Sequence, residues 1–202
     1  ENFEIKEWHL NNAGGTLIND ETEFKEDTTV FAVSKRKVVQ YKVEHLKENI
    51  ENDEFTVKET EEKQGEAGKN TVAEAKQYEG FSCQGLAQVA IKADGSTVVQ
   101  ITYKRNRVSL ILDLAGGKTT PALEDGESGK KLLKGKFEAR VEVKGLEKEN
   151  HSFEKWEPAL PEKFPATSPS TIYTAKWTRD SITITVEGDE NVILGSPKTV
   201  SV

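Results

Sequence analysis

Short runs in which apolar and polar residues alternate recur along most of this chain, and they predict strands. Phe3, Ile5 and Trp8 open with near-alternation, and Thr28–Val33 is a β-branched and aromatic run. Val38–Glu44 alternates and places Val39, Tyr41 and Val43 on one face. Phe55–Val57 follows the acidic turn at Glu51–Glu54. Thr97–Tyr103 is introduced by the Asp94-Gly95 turn, and Val108–Leu114 is stopped by Gly116-Gly117. Ile182–Val186 alternates before Gly188. Helical signals are sparse. Val72–Tyr78 predicts a short helix, because Val72, Ala75 and Lys76 fall at helical offsets and Ala and Glu favour helix. Phe137–Lys144 reads as either a strand or a helical turn. Glu157–Ser170 holds four of the six prolines and predicts an irregular connection.

Composition sharpens this picture of a β-rich chain with one or two short helices. Of 202 residues, 35% are hydrophobic. Counting the 15 glycines raises the total to about 42%, against about 45–50% in ordinary globular chains. Several small cores fit that figure better than one deep core. The net charge of −7 argues against a nucleic-acid binder, which needs a basic face to displace counterions. No window approaches 18 consecutive apolar residues, so no membrane span is expected. No signal peptide is visible, and a chain that opens on Glu1 and has no Met suggests an excised fragment. Cys83 is the lone cysteine, which excludes an intrachain disulfide and reads as a small buried hydrophobe. His9, His45 and His151 are scattered without metal-ligand spacing, and no cofactor is expected.

A search for internal similarity finds two stretches with one closing pattern. In the first, Trp8 is followed by Phe24 and a strand ending Val30-Phe31-Ala32. In the second, Trp156 is followed by Phe164 and by Tyr173-Thr174-Ala175-Lys176-Trp177. Physically, each reads as a Trp capping a small sheet whose last strand leads out to the next module. Val108–Leu114 with Ala115-Gly116-Gly117, then Gly135-Lys136-Phe137, Phe153-Glu154-Lys155-Trp156 and Tyr173–Trp177, form five ordered landmarks. On these landmarks residues 107–178 resemble the Listeria–Bacteroides repeat, also called the internalin-type B repeat of bacterial surface proteins. Lys155 stands where that family has a Gly before the Trp, and the segment between Gly117 and Gly135 is long. Residues 1–35 resemble the C-terminal half of such a repeat. Its Ala13-Gly14-Gly15 follows Trp8, however, whereas Ala115-Gly116-Gly117 precedes Trp156. Residues 36–106 resemble the mucin-binding-protein repeat, through Val39-x-Tyr41-x-Val43-Glu44-His45, Gly65–Gly68, Tyr78–Phe81 and Ala93–Val99. Residues 179–202 form an unassigned β segment.

The resemblance implies a β-rich α+β fold of tandem, small, β-grasp-like (ubiquitin-like) modules, elongated, each sheet crossed by a short helix. It also implies export and display on a bacterial cell surface or secretion, with no enzymatic activity. The expected partners are a host surface protein or a glycan, and the expected state is a monomer. Small cores are expected around Trp8, around Tyr41, Phe81 and Tyr103, and around Trp156, Tyr173 and Trp177, with Gly116 and Gly117 as the strand-ending turn.

Direct tests for chemistry return structural readings. Gly117-Lys118-Thr119 has the tail of a phosphate-binding loop, but Leu112 stands where the first Gly is needed. Gly129-Lys130-Lys131 fails likewise at Glu124. Acidic pairs such as Glu61-Glu62 and Asp189-Glu190 lie in polar stretches with nothing apolar to shift a carboxyl. The turns at Asp94, Asp125 and Asp189 lack the acid order of a calcium loop. The three Trp could stack on sugar, which makes a carbohydrate-binding module of a secreted enzyme the rival class, although their repeat positions favour core packing.

Overall fold

The computed structural model describes residues 1–184 and 198–201, with side chains described for residues 1–181. Contacts gather the chain into two units, Glu1–Tyr78 with Ser82–Lys104, and Glu79–Phe81 with the described residues from Arg105 onward. Both are β-rich. Among the described residues there is no α-helix, only a 3-10 turn at Glu127–Gly129.

The first unit begins with an antiparallel hairpin of β1 (Phe3–Leu10) and β2 (Val30–Arg36). Trp8 lies opposite Ala32, and the register slips between Ile5 and Glu7. A four-stranded sheet follows, built from β3 (Val38–Glu48), β4 (Phe55–Glu66), β5 (Phe81–Cys83) and β6 (Val98–Arg105). Their order is β4-β3-β6-β5, with β3 antiparallel to β4 and parallel to β6. A parallel neighbour requires a long crossover. Here the crossover runs through largely irregular backbone between β4 and β6, with β5 as its one short strand. Alternation sends Tyr41, Val43, Val99, Ile101 and Tyr103 into the core, where Ala67, Ala73 and Ile91 of the crossing segments meet them.

The helix expected over Val72–Tyr78 is absent, and its backbone donors show why. Val72 N donates to Tyr41 Oη at 3.0 Å, Ala73 N to Gln88 Oε1 at 3.0 Å, and Lys76 N to Tyr103 Oη at 2.9 Å. Side chains of the sheet and of the neighbouring crossing segment satisfy the N–H groups that a helix would satisfy internally.

The second unit has a five-stranded sheet. Its strands are β7 (Arg107–Asp113), β8 (Glu124–Asp125), β9 (Lys131–Lys136), β10 (His151–Glu157) and β11 (Ile172–Arg179), in the order β10-β11-β7-β9-β8. β7 pairs antiparallel with β9 and parallel with β11. Apart from the short β8, this is the arrangement of the first unit. The first and last strands are parallel at the centre, the second flanks the first, and the third flanks the last. Val108, Leu110, Leu112, Leu133, Phe164 and Tyr173 form the core, with Trp156 and Leu160 packed at its margin. Phe137–Lys144 forms neither a helix nor a regular strand. It is held by Arg140, which bridges Lys163, and by Val141 N donating to Glu162 O at 2.9 Å.

The two Trp-bearing hairpins share one register. In β10–β11, Trp156 lies opposite Ala175 and the slip falls between Phe153 and Lys155. The bulge sits at the same distance before the Trp as in β1–β2, so Ile5, Trp8, Val30 and Ala32 correspond to Phe153, Trp156, Tyr173 and Ala175. β12 (Ser181–Ile184) and β13 (Lys198–Ser201) form a further antiparallel pair. Val186 and Val192–Leu194, expected in strand-rich structure, lie outside the described residues.

Candidate functional site

A connected polar cluster lies inside the first unit. The alternation that buries Tyr41 and Val43 carries His45 to the same inner face, fully buried. Its Nδ1 is 2.9 Å from Tyr103 Oη, and that oxygen already accepts from Lys76 N. Glu61 Oε1 faces Nε2 at 3.4 Å, which favours the imidazole proton on Nε2, and Nδ1 then accepts from the Tyr103 hydroxyl. The His45 ring stacks on Tyr103, and Tyr78 meets Tyr103 edge-on with centroids 4.9 Å apart. Tyr78 Oη donates to Glu59 Oε2 at 2.7 Å. Lys76 Nζ bridges Glu59 and Glu61, and Lys47 Nζ lies 3.6 Å from the centre of the Tyr78 ring. The network ties the crossing segment to the sheet and keeps the imidazole away from solvent.

Charge pairing sets the titration of this cluster. The Lys76 ammonium, helped at Glu59 by the Tyr78 hydroxyl, holds both carboxyls below the usual range, and they in turn raise Lys76. Burial, then the bond to Glu59, pushes Tyr78 up to about 12. Depressed carboxyls stabilise the fold fully above their unfolded value of about 4.3, and this contribution is lost as pH falls through the folded values. The raised Tyr78 acts oppositely. Its contribution is present below its ordinary 10.0 and lost as pH climbs toward about 12. Thermal melting across pH should therefore show an acid limb and an alkaline limb. Lys76→Gln should flatten the acid limb, and an unchanged acid limb would refute this assignment.

In the second unit the sequence landmarks converge. Phe153 lies with its ring centre 5.6 Å from that of Trp156 and 5.7 Å from that of Trp177. Trp177 Nε1 donates to Leu114 O at 2.9 Å. A Cβ on Gly117 would run into the Trp177 ring, and Gly116 takes φ +85° in the turn that makes this approach. Tyr173 is buried, whereas Trp156 and Trp177 are half-buried, so part of this aromatic cluster meets solvent. On the other face of the same sheet, Ile111, Leu132 and Ile172 floor an open groove of about 670 Å³, rimmed by Asp125, Ser128 and Lys130.

Three sequence expectations need correction. Trp8 does not nucleate a covered core. It is 43% exposed, because β1–β2 is a two-stranded sheet with no third strand over that face among the described residues. Phe81 does not join Tyr41 and Tyr103. It packs edge-on against Phe137 in the second unit, where Gly80, at φ +73°, lets the Phe137 ring approach its backbone. Cys83 is exposed rather than buried, since it ends the three-residue strand β5 at the sheet edge.

The remaining motifs are turns. Lys118 N donates to Glu147 O at 2.8 Å and Lys118 Nζ pairs with the Glu147 carboxylate at 3.3 Å, so the glycine-lysine tail is an element of a bridge. Asp94 Oδ1 accepts from Ser96 N at 2.9 Å, with Gly95 at φ +76°. Among the described residues, no group of three or more His, Cys, Asp or Glu side chains is placed to hold a metal ion. No described helix is long and apolar enough to cross a membrane. A scan against protein-family models gives no match, and a search of curated proteins gives none either.

Proposed function

We propose that this chain is a piece of a non-enzymatic repeat protein displayed on, or secreted from, a bacterial cell. Its modules serve as spacers and as adhesive surfaces for a host surface protein or glycan. Residues 36–106 and 107–178 are two β-grasp-like modules of mucin-binding-like and B-repeat type, and residues 1–35 are the closing half of another B-type repeat. One observation carries this reading. The strand order with parallel first and last strands occurs in both sheets, and the bulged Trp hairpin occurs twice in one register. Serial repetition of a small fold supports a part built for presentation along a chain.

A second reading, a carbohydrate-binding module of a secreted enzyme, draws support from the solvent-facing part of the Phe153, Trp156 and Trp177 cluster. One experiment separates them: the whole chain and its Trp156→Ala variant probed against arrays of glycans and host surface proteins. Protein binding, or glycan binding that survives Trp156→Ala in a folded variant, supports the adhesive repeat. Glycan binding abolished in a variant that keeps its amide spectrum supports the carbohydrate module. Turnover of an arrayed glycan would overturn the non-enzymatic reading.

A further inference from the structure

The hairpin β1–β2 carries half of a core whose other half is visible in the second unit. Directly opposed residues share a face, so Trp156, Ala175 and Tyr173 point one way from β10–β11, and β7 and β9 complete the core there. On that face Ala175 is 1% exposed and Tyr173 8%. In β1–β2 the corresponding Ala32 is exposed and Val30 is 40% exposed. The loop aromatics repeat the contrast. Phe164 is 5% exposed and seated on Gly135 of β9, where a Cβ would overlap its ring, whereas Phe24 is 52% exposed.

From this we infer that the face of β1–β2 and the outer edge of β2, which pairs with no further strand among the described residues, dock a β-hairpin of the β7–β9 type. The partner's first strand alternates bulky aliphatic residues as Val108, Leu110 and Leu112 do, and its second strand carries a glycine beneath the Phe24 ring. The register follows from β11, which pairs in parallel with β7 through Ile172↔Ile111, Tyr173↔Leu112 and Thr174↔Asp113. The incoming strand lies parallel to β2, with a leucine-like residue opposite Val30 and an acidic or polar one opposite Phe31. An unpaired strand edge beside an apolar face is a surface to which a further strand adds through main-chain hydrogen bonds and side-chain pockets. A second copy of this chain is a poorer occupant, because its β7–β9 pair would have to leave its own β11 for an equivalent place. The inference rests on the equivalence of the two hairpins and not on the adhesive role.

The test titrates the full chain with a synthetic peptide of residues 107–136, read at the indole N–H resonance of Trp8 and at the amides of Thr29–Phe31. The expected result is a saturable shift of Trp8 and new exchange protection on β2. Both should be lost in the Ala32→Arg protein, whose substitution falls on an exposed position. A peptide carrying Gly135→Leu should bind about tenfold or more weakly, because its side chain fills the place of the aromatic ring. Absence of any shift up to about 1 mM peptide, or a shift that survives Ala32→Arg, overturns the inference. Self-association of the protein without peptide, abolished by Ala32→Arg, also overturns it and assigns the face to a second copy. Failure here while the two units melt separately leaves the surface-repeat reading standing. Loss of separate melting strikes that reading instead.

Discussion

Leu112→Ala should unfold the second unit at temperatures where the first remains folded. Leu112 is fully buried at the centre of its sheet, flanked by β9 on one side and β11 on the other. Removing a buried leucine side chain beyond Cβ costs about 2–5 kcal/mol, part lost transfer energy and part cavity. A unit of this size holds about 5–15 kcal/mol in total. The substitution should thus lower its melting midpoint by on the order of 10–30 °C. Ile111, the preceding residue in the same strand, points to the opposite, half-exposed face. Ile111→Ala should cost about 1 kcal/mol or less, since the side chain is only partly withdrawn from water. Calorimetry with amide spectra reads both. The first unit's resonances should keep their dispersion while those of Leu110, Leu133 and Tyr173 collapse. A single transition that moves as one in Leu112→Ala would contradict independent modules, and the proposed spacer function with them.

The contrast between β7 and β4 explains how much of this fold was legible. β7 alternates Val108, Leu110 and Leu112 against Ser109, Ile111 and Asp113, and its inward positions are all aliphatic. β4 runs to Glu66, yet only Phe55–Val57 reads as strand from sequence. Its inward positions beyond Val57 are Glu59, Glu61, Lys63 and Gly65, which carry no hydrophobic period. They face inward because Lys76 and Tyr78 reach across to meet Glu59 and Glu61. That pairing is tertiary, and no local pattern announces it. The crossing segment failed for the related reason that its N–H groups bond to Tyr41, Gln88 and Tyr103. Helix propensity at Val72–Tyr78 was outweighed by partners 15 to 31 positions away in sequence.

The buried network left one trace in the sequence. His45 continues the phase of Val39, Tyr41 and Val43, so a polar ring occupied a position the alternation reserved for the core. Scattered histidines suggest nothing by metal-ligand spacing, but a histidine in phase with a buried face implies a buried partner. The aromatic landmarks were more legible. Gly117, Trp156, Tyr173 and Trp177 do gather in the second unit, because the Gly117 backbone is the surface on which the Trp177 ring lies. Trp8 shares their pattern without their environment, since a sequence motif records a residue's place in a hairpin and not whether a third strand covers it.

Tyr103→Phe should destabilise the first unit by about 2–4 kcal/mol while leaving its packing volume almost unchanged. The hydroxyl has two partners, accepting from Lys76 N and donating to His45 Nδ1, each at 2.9 Å. Tyr103 is 1% exposed and His45 is fully buried, so water cannot replace the lost oxygen without opening the sheet. Each buried group left without its partner costs about 1–3 kcal/mol, more than the net worth of a bond exchanged with water. His45→Leu should also destabilise, because it strips Tyr103 of its acceptor and removes the Nε2 that faces Glu61. The double variant should then cost less than the sum of the singles, since an apolar pair leaves only Lys76 N orphaned. Chemical denaturation of the four proteins gives the coupling energy directly. A cost near zero for Tyr103→Phe, or strict additivity in the double variant, would mean that the network does not hold the crossing segment to the sheet.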